Sequence, residues 1–171
     1  MDLDFLTGKK TDDFIAFRQE QFLVHKKMHD HLSKMFESAA KDGFDLALTS
    51  SYRSFLTQQK IWNDKAQGLR PVLDSDSMPI NLTTKSDEEI LFAILRWSAI
   101  PGGSRHHWGT DVDLFDQRSK PLDYKVQLIP SEYEEGGPFY KARLWLDENM
   151  ERFGFFRPYH IDVGGIAPEP W

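Results

Sequence analysis

The stretch Pro101-Gly102-Gly103-Ser104-Arg105-His106-His107-Trp108-Gly109-Thr110-Asp111-Val112-Asp113-Leu114-Phe115 joins a turn to a strand. Its Pro-Gly-Gly opening stops any preceding helix. From Thr110 to Phe115 polar and apolar residues alternate, the period of a half-buried strand, which puts Asp111 and Asp113 on one face and Val112 and Leu114 on the other. Two imidazoles, two carboxylates, a hydroxyl and a guanidinium thus crowd into Ser104–Asp113. Such a density is costly to bury as core and well suited to a metal site, where catalytic zinc takes N and O donors and keeps one position open. His106 on the loop and Asp113 on the strand are the expected ligands. Two residues alone also fit a hydrogen-bonded pair lining a loop; the neighbouring Ser104, the glycines and the second carboxylate favour the metal.

Outward from this stretch, the chain reads as α+β. Met28, Leu32, Met35, Phe36 and Ala39 recur at helical spacing between about Val24 and Lys41, and Asp42-Gly43 stops that helix. Phe44, Leu46 and Leu48 alternate with Asp45 and Ala47 as a strand. Ser54 is placed to cap a helix running to about Lys65 that buries Phe55, Ile61 and Trp62. Residues 68–84 read as loop, and Ser86-Asp87-Glu88-Glu89 opens a helix to about Ala99 with a capping box. Beyond the central strand, residues 116–137 read as a long polar loop. A helix is expected from Pro138 to about Phe153, with Leu144, Trp145 and Phe153 inward and Gly154 as its cap. A short strand is expected over Phe155-Phe156-Arg157. With no βαβ rhythm, the expectation is one domain in which a small antiparallel sheet carries the metal site and helices pack around it.

Length and composition narrow the function classes. The 171 residues, 40% hydrophobic and 28% charged, suit one soluble domain with a real core. The absence of cysteine excludes disulfides, thiolate ligands and a Cys nucleophile, so a metal must use His and carboxylates. A net charge of −6 without a dense basic cluster argues against nucleic acid. No apolar run reaches the length of a membrane span, and no basic region followed by an apolar one opens the chain as a secretory signal would.

Ser104-x-His106-x-x-Gly109-x-x-x-Asp113 resembles the zinc motif of VanY-type D-alanyl-D-alanine carboxypeptidases, within the wider group of zinc peptidoglycan peptidases of the hedgehog/DD-peptidase-like fold. Ser51-Tyr52-Arg53-Ser54-x-x-x-Gln58 is similar to the family's Tyr-Arg-Ser segment, and Glu169-Pro170-Trp171 to the start of its Glu-Pro-Trp-His motif. The three blocks stand in the family's order. The resemblance implies that His106 and Asp113 bind Zn2+ and that Glu169 takes a proton from the attacking water. It implies that Arg53 steadies the oxyanion and that Ser104, Tyr52 and Gln58 contact substrate. Considered singly, each has a plainer reading: Arg53 as a structural ion pair, Glu169 as a solvated charge, Ser104 as a turn residue, Tyr52 as core and Gln58 as helix surface.

Two features depart from the family pattern. Asp111 stands where a small residue is usual; it could join the metal, orient a ligand or select a substrate amine, and the latter two are the expectation. The sequence as written stops at Trp171, where the family continues with its third ligand, a histidine. The expectation is therefore a single domain over residues 1–171 cut just before its final motif is complete. His160 is the histidine nearest to that position and reads as a loop residue. His25, His29 and His31 read as polar positions of a helix face, His107 as a pocket-edge or core residue, and Trp108 and Trp171 as walls of the site.

The implied activity is zinc-dependent hydrolysis of peptidoglycan stem peptides, removing a terminal D-alanine by direct attack of water. Alternatives are an LD-carboxypeptidase, an endolysin-like endopeptidase, or a zinc-binding module without catalysis, which the retention of Arg53 and Glu169 disfavours. A monomer is expected, and the compartment stays open between cytoplasm and periplasm.

Overall fold

In the computed structural model, which describes residues 2–18 and 22–171, two antiparallel ladders and five α-helices form an α+β fold. The elements in order are α1 (Leu3–Leu6), β1 (Phe14–Phe17), β2 (Phe22–His25), α2 (Lys26–Lys41), β3 (Leu46–Ser50), α3 (Phe55–Ala66), α4 (Asp87–Trp97), β4 (Asp113–Asp116) and α5 (Tyr140–Asn149). Single-turn helices at Arg105–Trp108, Pro130–Glu132 and Met150–Phe153 punctuate the loops.

The core grows from α2. Its apolar stripe, Met28, Leu32, Met35, Phe36 and Ala39, is buried against Leu46 and Leu48 of β3, Leu114 of β4, and Trp145 and Leu146 of α5. Burying each large side chain contributes roughly 1.5–3 kcal/mol, so this stripe fixes β3 and β4 to one support. The ladder β3–β4 pairs Leu46 with Asp116 and Leu48 with Leu114, then shifts register so that Ser50 faces Asp113. That irregularity brings the Tyr-Arg-Ser block beside the His–Asp block. Helices α3 and α4 form a second layer; the Ser86 hydroxyl accepts from Glu89 N, and the Glu89 carboxylate accepts from Ser86 N, the reciprocal cap expected from sequence.

Several elements differ from expectation. The antiparallel ladder β3–β4 carries Asp113 as expected, and a second two-stranded ladder, β1–β2, is separate from it, with burial that does not alternate along its strands. The site strand begins at Asp113, not Thr110, since Asp111 turns its backbone carbonyl to His106 instead of to a ladder. Helix α5 starts after Pro138, with Leu144 40% exposed and not inward; Trp145 fills the core and donates to Asp42 Oδ2. Residues 155–157 form no strand. In α3 the fully buried residue is Gln58, while Phe55, Ile61 and Trp62 are half-buried.

The loop over 116–137 is ordered by a buried acid. Glu132 accepts at Oε1 from Tyr124 Oη (2.7 Å) and Gln127 N (2.8 Å), and at Oε2 from Leu128 N (2.8 Å). This carboxylate holds Leu128 at φ 57°, a left-handed conformation that leucine rarely adopts.

Candidate active site

Three chain segments converge on a cavity of about 290 Å³, which Arg53, Ser104, His106, Asp111, Asp113 and Glu169 all border. The first segment leaves β3 at Ser50. Arg53 donates through Nη1 to Gln58 Oε1 (2.9 Å) and through Nη2 to Ser50 Oγ (2.8 Å), which fixes the plane of the guanidinium. Gln58 in turn donates from Nε2 to the Ala99 carbonyl (2.6 Å), anchoring Arg53 to the end of α4.

The second segment is the single turn Arg105–Trp108 and the approach to β4. A carbonyl can only accept, so the 3.1 Å contact from His106 Nδ1 to Asp111 O puts the proton on Nδ1. The lone pair of Nε2 then faces Asp113 Oδ2 at 3.4 Å, and both side chains are buried. Burial opposes a proton on His106 and Asp113 favours one, with the net direction upward, so the pair can share a proton or hold a metal cation at this separation. The donor types, an imidazole whose Nδ1–H is held from behind and an aspartate, fit zinc, which would take the imidazole in its neutral form. Among the described residues no group of three or more His, Asp or Glu forms a complete metal set; the pair supplies two donors.

Asp111 stands on the other side of the ring, its Oδ2 3.7 Å from His106 Nδ1 and its Oδ1 3.5 Å from Arg105 Nε. Burial lifts its pKa above the usual carboxylate range, with Asp113 adding to the rise and His106 and Arg105 opposing it. Gly109, at φ 63°, closes the turn, and a side chain there would meet the Phe14 ring at 2.2 Å. Glycine is therefore required on both conformational and steric grounds.

The third segment returns from α5 and reaches Glu169, whose backbone N–H donates to Tyr159 O at 2.7 Å. Arg96 of α4 straps this loop down by pairing with Asp162 and donating to Gly165 O (3.1 Å). Leu114 N donates to Trp171 O (3.1 Å), tying the same segment to β4. Burial, reinforced by Asp113, raises the Glu169 carboxyl to about 8.

Tyr52 and Gln58, both expected at the substrate, do not line the cavity. The Tyr52 hydroxyl donates to Gly8 O (2.8 Å) and its ring stacks on Phe14 (4.4 Å between centroids). Gln58 is 0% exposed, and both ends of its amide are engaged behind Arg53. They support the site from outside it. Ser104 is buried on the cavity wall and makes no side-chain cap to its turn. Trp171 lines the cavity, whereas Trp108 is turned away and donates to Leu6 O (3.2 Å).

Four of the other five histidines make hydrogen bonds to the backbone. His107 is fully buried; its Nδ1 donates to Arg53 O (2.6 Å) and its Nε2 accepts from Gly102 N (3.0 Å). His25 caps α2, accepting at Nδ1 from Lys27 N (3.1 Å). His31 donates to Phe153 O (3.0 Å), and His160 bonds Arg157 O (3.1 Å) on an exposed loop.

Sequence reasoning missed Lys65, which lines the cavity from the last turn of α3. The signal was present: Lys65 follows Gln58 by two helical turns and so shares its face. It also missed Glu132, hidden in a segment read as loop.

Residues 21–171 match the family model described as VanY, D-alanyl-D-alanine carboxypeptidase. A D-alanyl-D-alanine carboxypeptidase of Enterococcus faecalis is 28% identical over 148 residues, covering 85% of this chain and 45% of its own length. The chain spans about half the length of most of the curated relatives it matches. Among solved structures, a mutant of the vancomycin-resistance D,D-pentapeptidase VanY in complex with Zn(II) superposes with a TM-score of 0.66 at 24% identity, covering 92% of this chain and 75% of that one. VanYB in complex with D-alanine-D-alanine gives 0.67 at 22% identity, covering 92% and 74%. At these identities the structural likeness establishes the fold.

Proposed function

The chain belongs to the VanY family of D-alanyl-D-alanine carboxypeptidases, and on that premise we propose that it is a zinc-dependent carboxypeptidase releasing the terminal D-alanine of peptidoglycan stem peptides. The observation that carries the proposal is the pair His106 Nε2 and Asp113 Oδ2, 3.4 Å apart, in one cavity with Arg53 and Glu169. His106 and Asp113 would hold the zinc, with a further donor from outside this pair; in the family motif that donor is the histidine following Glu-Pro-Trp. When bound, zinc supplies a Lewis acid beside the scissile carbonyl and lowers the pKa of water from about 15.7 to about 7.

The protein's own residues do the rest. Glu169 takes a proton from the attacking water as the water oxygen bonds to the carbonyl carbon. Arg53 faces the charge that develops on the carbonyl oxygen; two of its five N–H donors are spent on Gln58 and Ser50, and the others remain for this task. As the C–N bond breaks, Glu169 returns the proton to the departing amine, leaving a shortened peptide acid and free D-alanine. Asp111 steadies His106 through its carbonyl and places a third carboxylate, beside Asp113 and Glu169, at the cavity wall. Ser104 presents its hydroxyl to the substrate backbone.

The test is incubation of the zinc-supplemented protein with a stem pentapeptide ending in D-alanyl-D-alanine, followed by mass spectrometry. Loss of one alanine residue, abolished by a chelator, is expected. Cleavage at an internal bond, or turnover indifferent to the chelator, overturns the proposal.

A further inference from the structure

We propose that Arg105 and Asp111 form a paired subsite for an amino-acid zwitterion, an ammonium and a carboxylate on one carbon, carried by a side chain in the retained part of the peptide. The inference rests on the carboxypeptidase reading above and adds to it a preference among stem peptides. A second cavity, of about 310 Å³, lies beside the catalytic one, between the first turns of α2 and the segment Phe153–Phe156. Arg105 and Asp111 alone line both cavities. They stand behind the His106 ring: Asp111 meets its Nδ1, whereas Asp113 faces Nε2. The pair therefore serves a group set back from the reacting carbonyl by an imidazole's width, within reach of a neighbouring residue of the substrate, since an extended residue spans about 3.3–3.6 Å.

Both charges are held in place without being spent. The Arg105 guanidinium lies over the rings of Trp108 (5.0 Å) and Phe156 (5.6 Å), which fixes its plane. Its buried Nε has no hydrogen-bond partner among the described residues. Asp111 meets Arg105 and His106 at 3.5 and 3.7 Å, beyond good hydrogen-bond length. A guanidinium offers five donors in one plane and a carboxylate about four acceptor sites. Side by side and of opposite sign, the two match a carbon bearing both groups: its carboxylate accepts from Arg105, and its ammonium donates to Asp111. The other charges are placed differently. Of the two cavities, Arg53, Lys65 and Arg70 line only the catalytic one, and Lys27 only the other. Ser104 shares the catalytic wall but carries no charge. The residue to be released is not this ligand, because before cleavage its amine is the scissile nitrogen. The zwitterion therefore belongs to the retained chain.

The experiment compares three stem pentapeptides ending in D-alanyl-D-alanine. In the first the third residue is meso-diaminopimelate, whose side chain ends in such a zwitterion; in the second that carboxylate is amidated; in the third that amine is acetylated. Binding is measured calorimetrically to zinc-supplemented Glu169→Gln protein, in which turnover is suppressed, and hydrolysis with Glu169 intact. The zwitterionic peptide is expected to bind about 10- to 100-fold more tightly than either blocked one. Arg105→Gln should erase discrimination against the amidated peptide and keep that against the acetylated one; Asp111→Asn should do the converse, and Arg105→Lys should retain part of the preference. A loss of packing would weaken all three peptides alike and could not produce this crossed pattern. Equal binding of the three, binding of none, or an Arg105→Gln protein that still prefers the free carboxylate overturns the inference, while hydrolysis leaves the carboxypeptidase reading in place. The crossed pattern without hydrolysis upholds the inference and overturns that reading. Free D-alanine, the zwitterion that the reaction releases, should compete only weakly; displacement of the first peptide at equal concentration would assign the pair to the product and overturn the inference.

Discussion

Glu169 illustrates how one residue's surroundings decide its chemistry. With burial and Asp113 holding its carboxyl at about 8 against 4.5 in an unfolded chain, the metal-free fold prefers it protonated. A folded-state value above the unfolded one means that the native state binds the extra proton between those two pH values. Its contribution to stability is complete below 4.5 and is lost as pH rises to about 8. In the presence of a chelator the melting temperature should therefore fall over this window, and Glu169→Gln should flatten the fall; an unchanged slope in the variant would exclude Glu169 as its origin. Arg53 gives a second prediction at this scale. Lysine keeps the charge but cannot reach Gln58 and Ser50 together while facing a carbonyl. Arg53→Lys is expected to lower kcat by about 10²–10³-fold with the fold intact, checked by steady-state kinetics alongside circular dichroism.

At the scale of elements, the site depends on segments that look irregular. The loop reaching Gln127 and Leu128, both on the cavity wall, is held by the Glu132 carboxylate through three backbone N–H groups and the Tyr124 hydroxyl. In Glu132→Gln one acceptor oxygen becomes a donor that faces backbone donors. The change should cost about 1–3 kcal/mol, and amide exchange at Gln127, Leu128 and Ile129 should accelerate more than exchange in α2. Equal protection in both proteins would remove Glu132 from this role. The strap of Arg96 on Asp162 and Gly165 similarly governs the approach to Glu169, although neither residue touches the cavity chemistry.

Over the whole molecule, the amino-terminal segment braces the site from behind. It precedes the residues matched by the family model, yet Gly8 O accepts from Tyr52 Oη and Phe55 N, and Leu6 O accepts from Trp108 Nε1. A side chain on Gly8 would strike His107 Nδ1 at 2.5 Å, so the fit there is tight. Removing residues 1–13 should lose these three hydrogen bonds, each about 0.5–1.5 kcal/mol, together with the stacking of Phe5 on Phe14. A lower melting temperature and weaker peptide binding are expected together; a truncated chain that melts and binds like the full one would show the brace to be dispensable.

The sequence by itself determined what local physics can write. The stripe of α2 and the capping box of α4 were legible because periodicity and caps act over a few residues, whereas the His106, Asp113, Arg53 and Glu169 blocks stood out through their resemblance to the family's ordered motifs. Only the tertiary structure decided what depends on who stands opposite. The register shift that sets Ser50 against Asp113, the turning of Tyr52 and Gln58 away from the cavity, and the exposure of Lys65 to it all arise from contacts between residues distant in the chain. The physical reason is that a side chain's alternation or helical phase fixes its face, while burial, partner and charge environment are fixed by the segments that pack against that face.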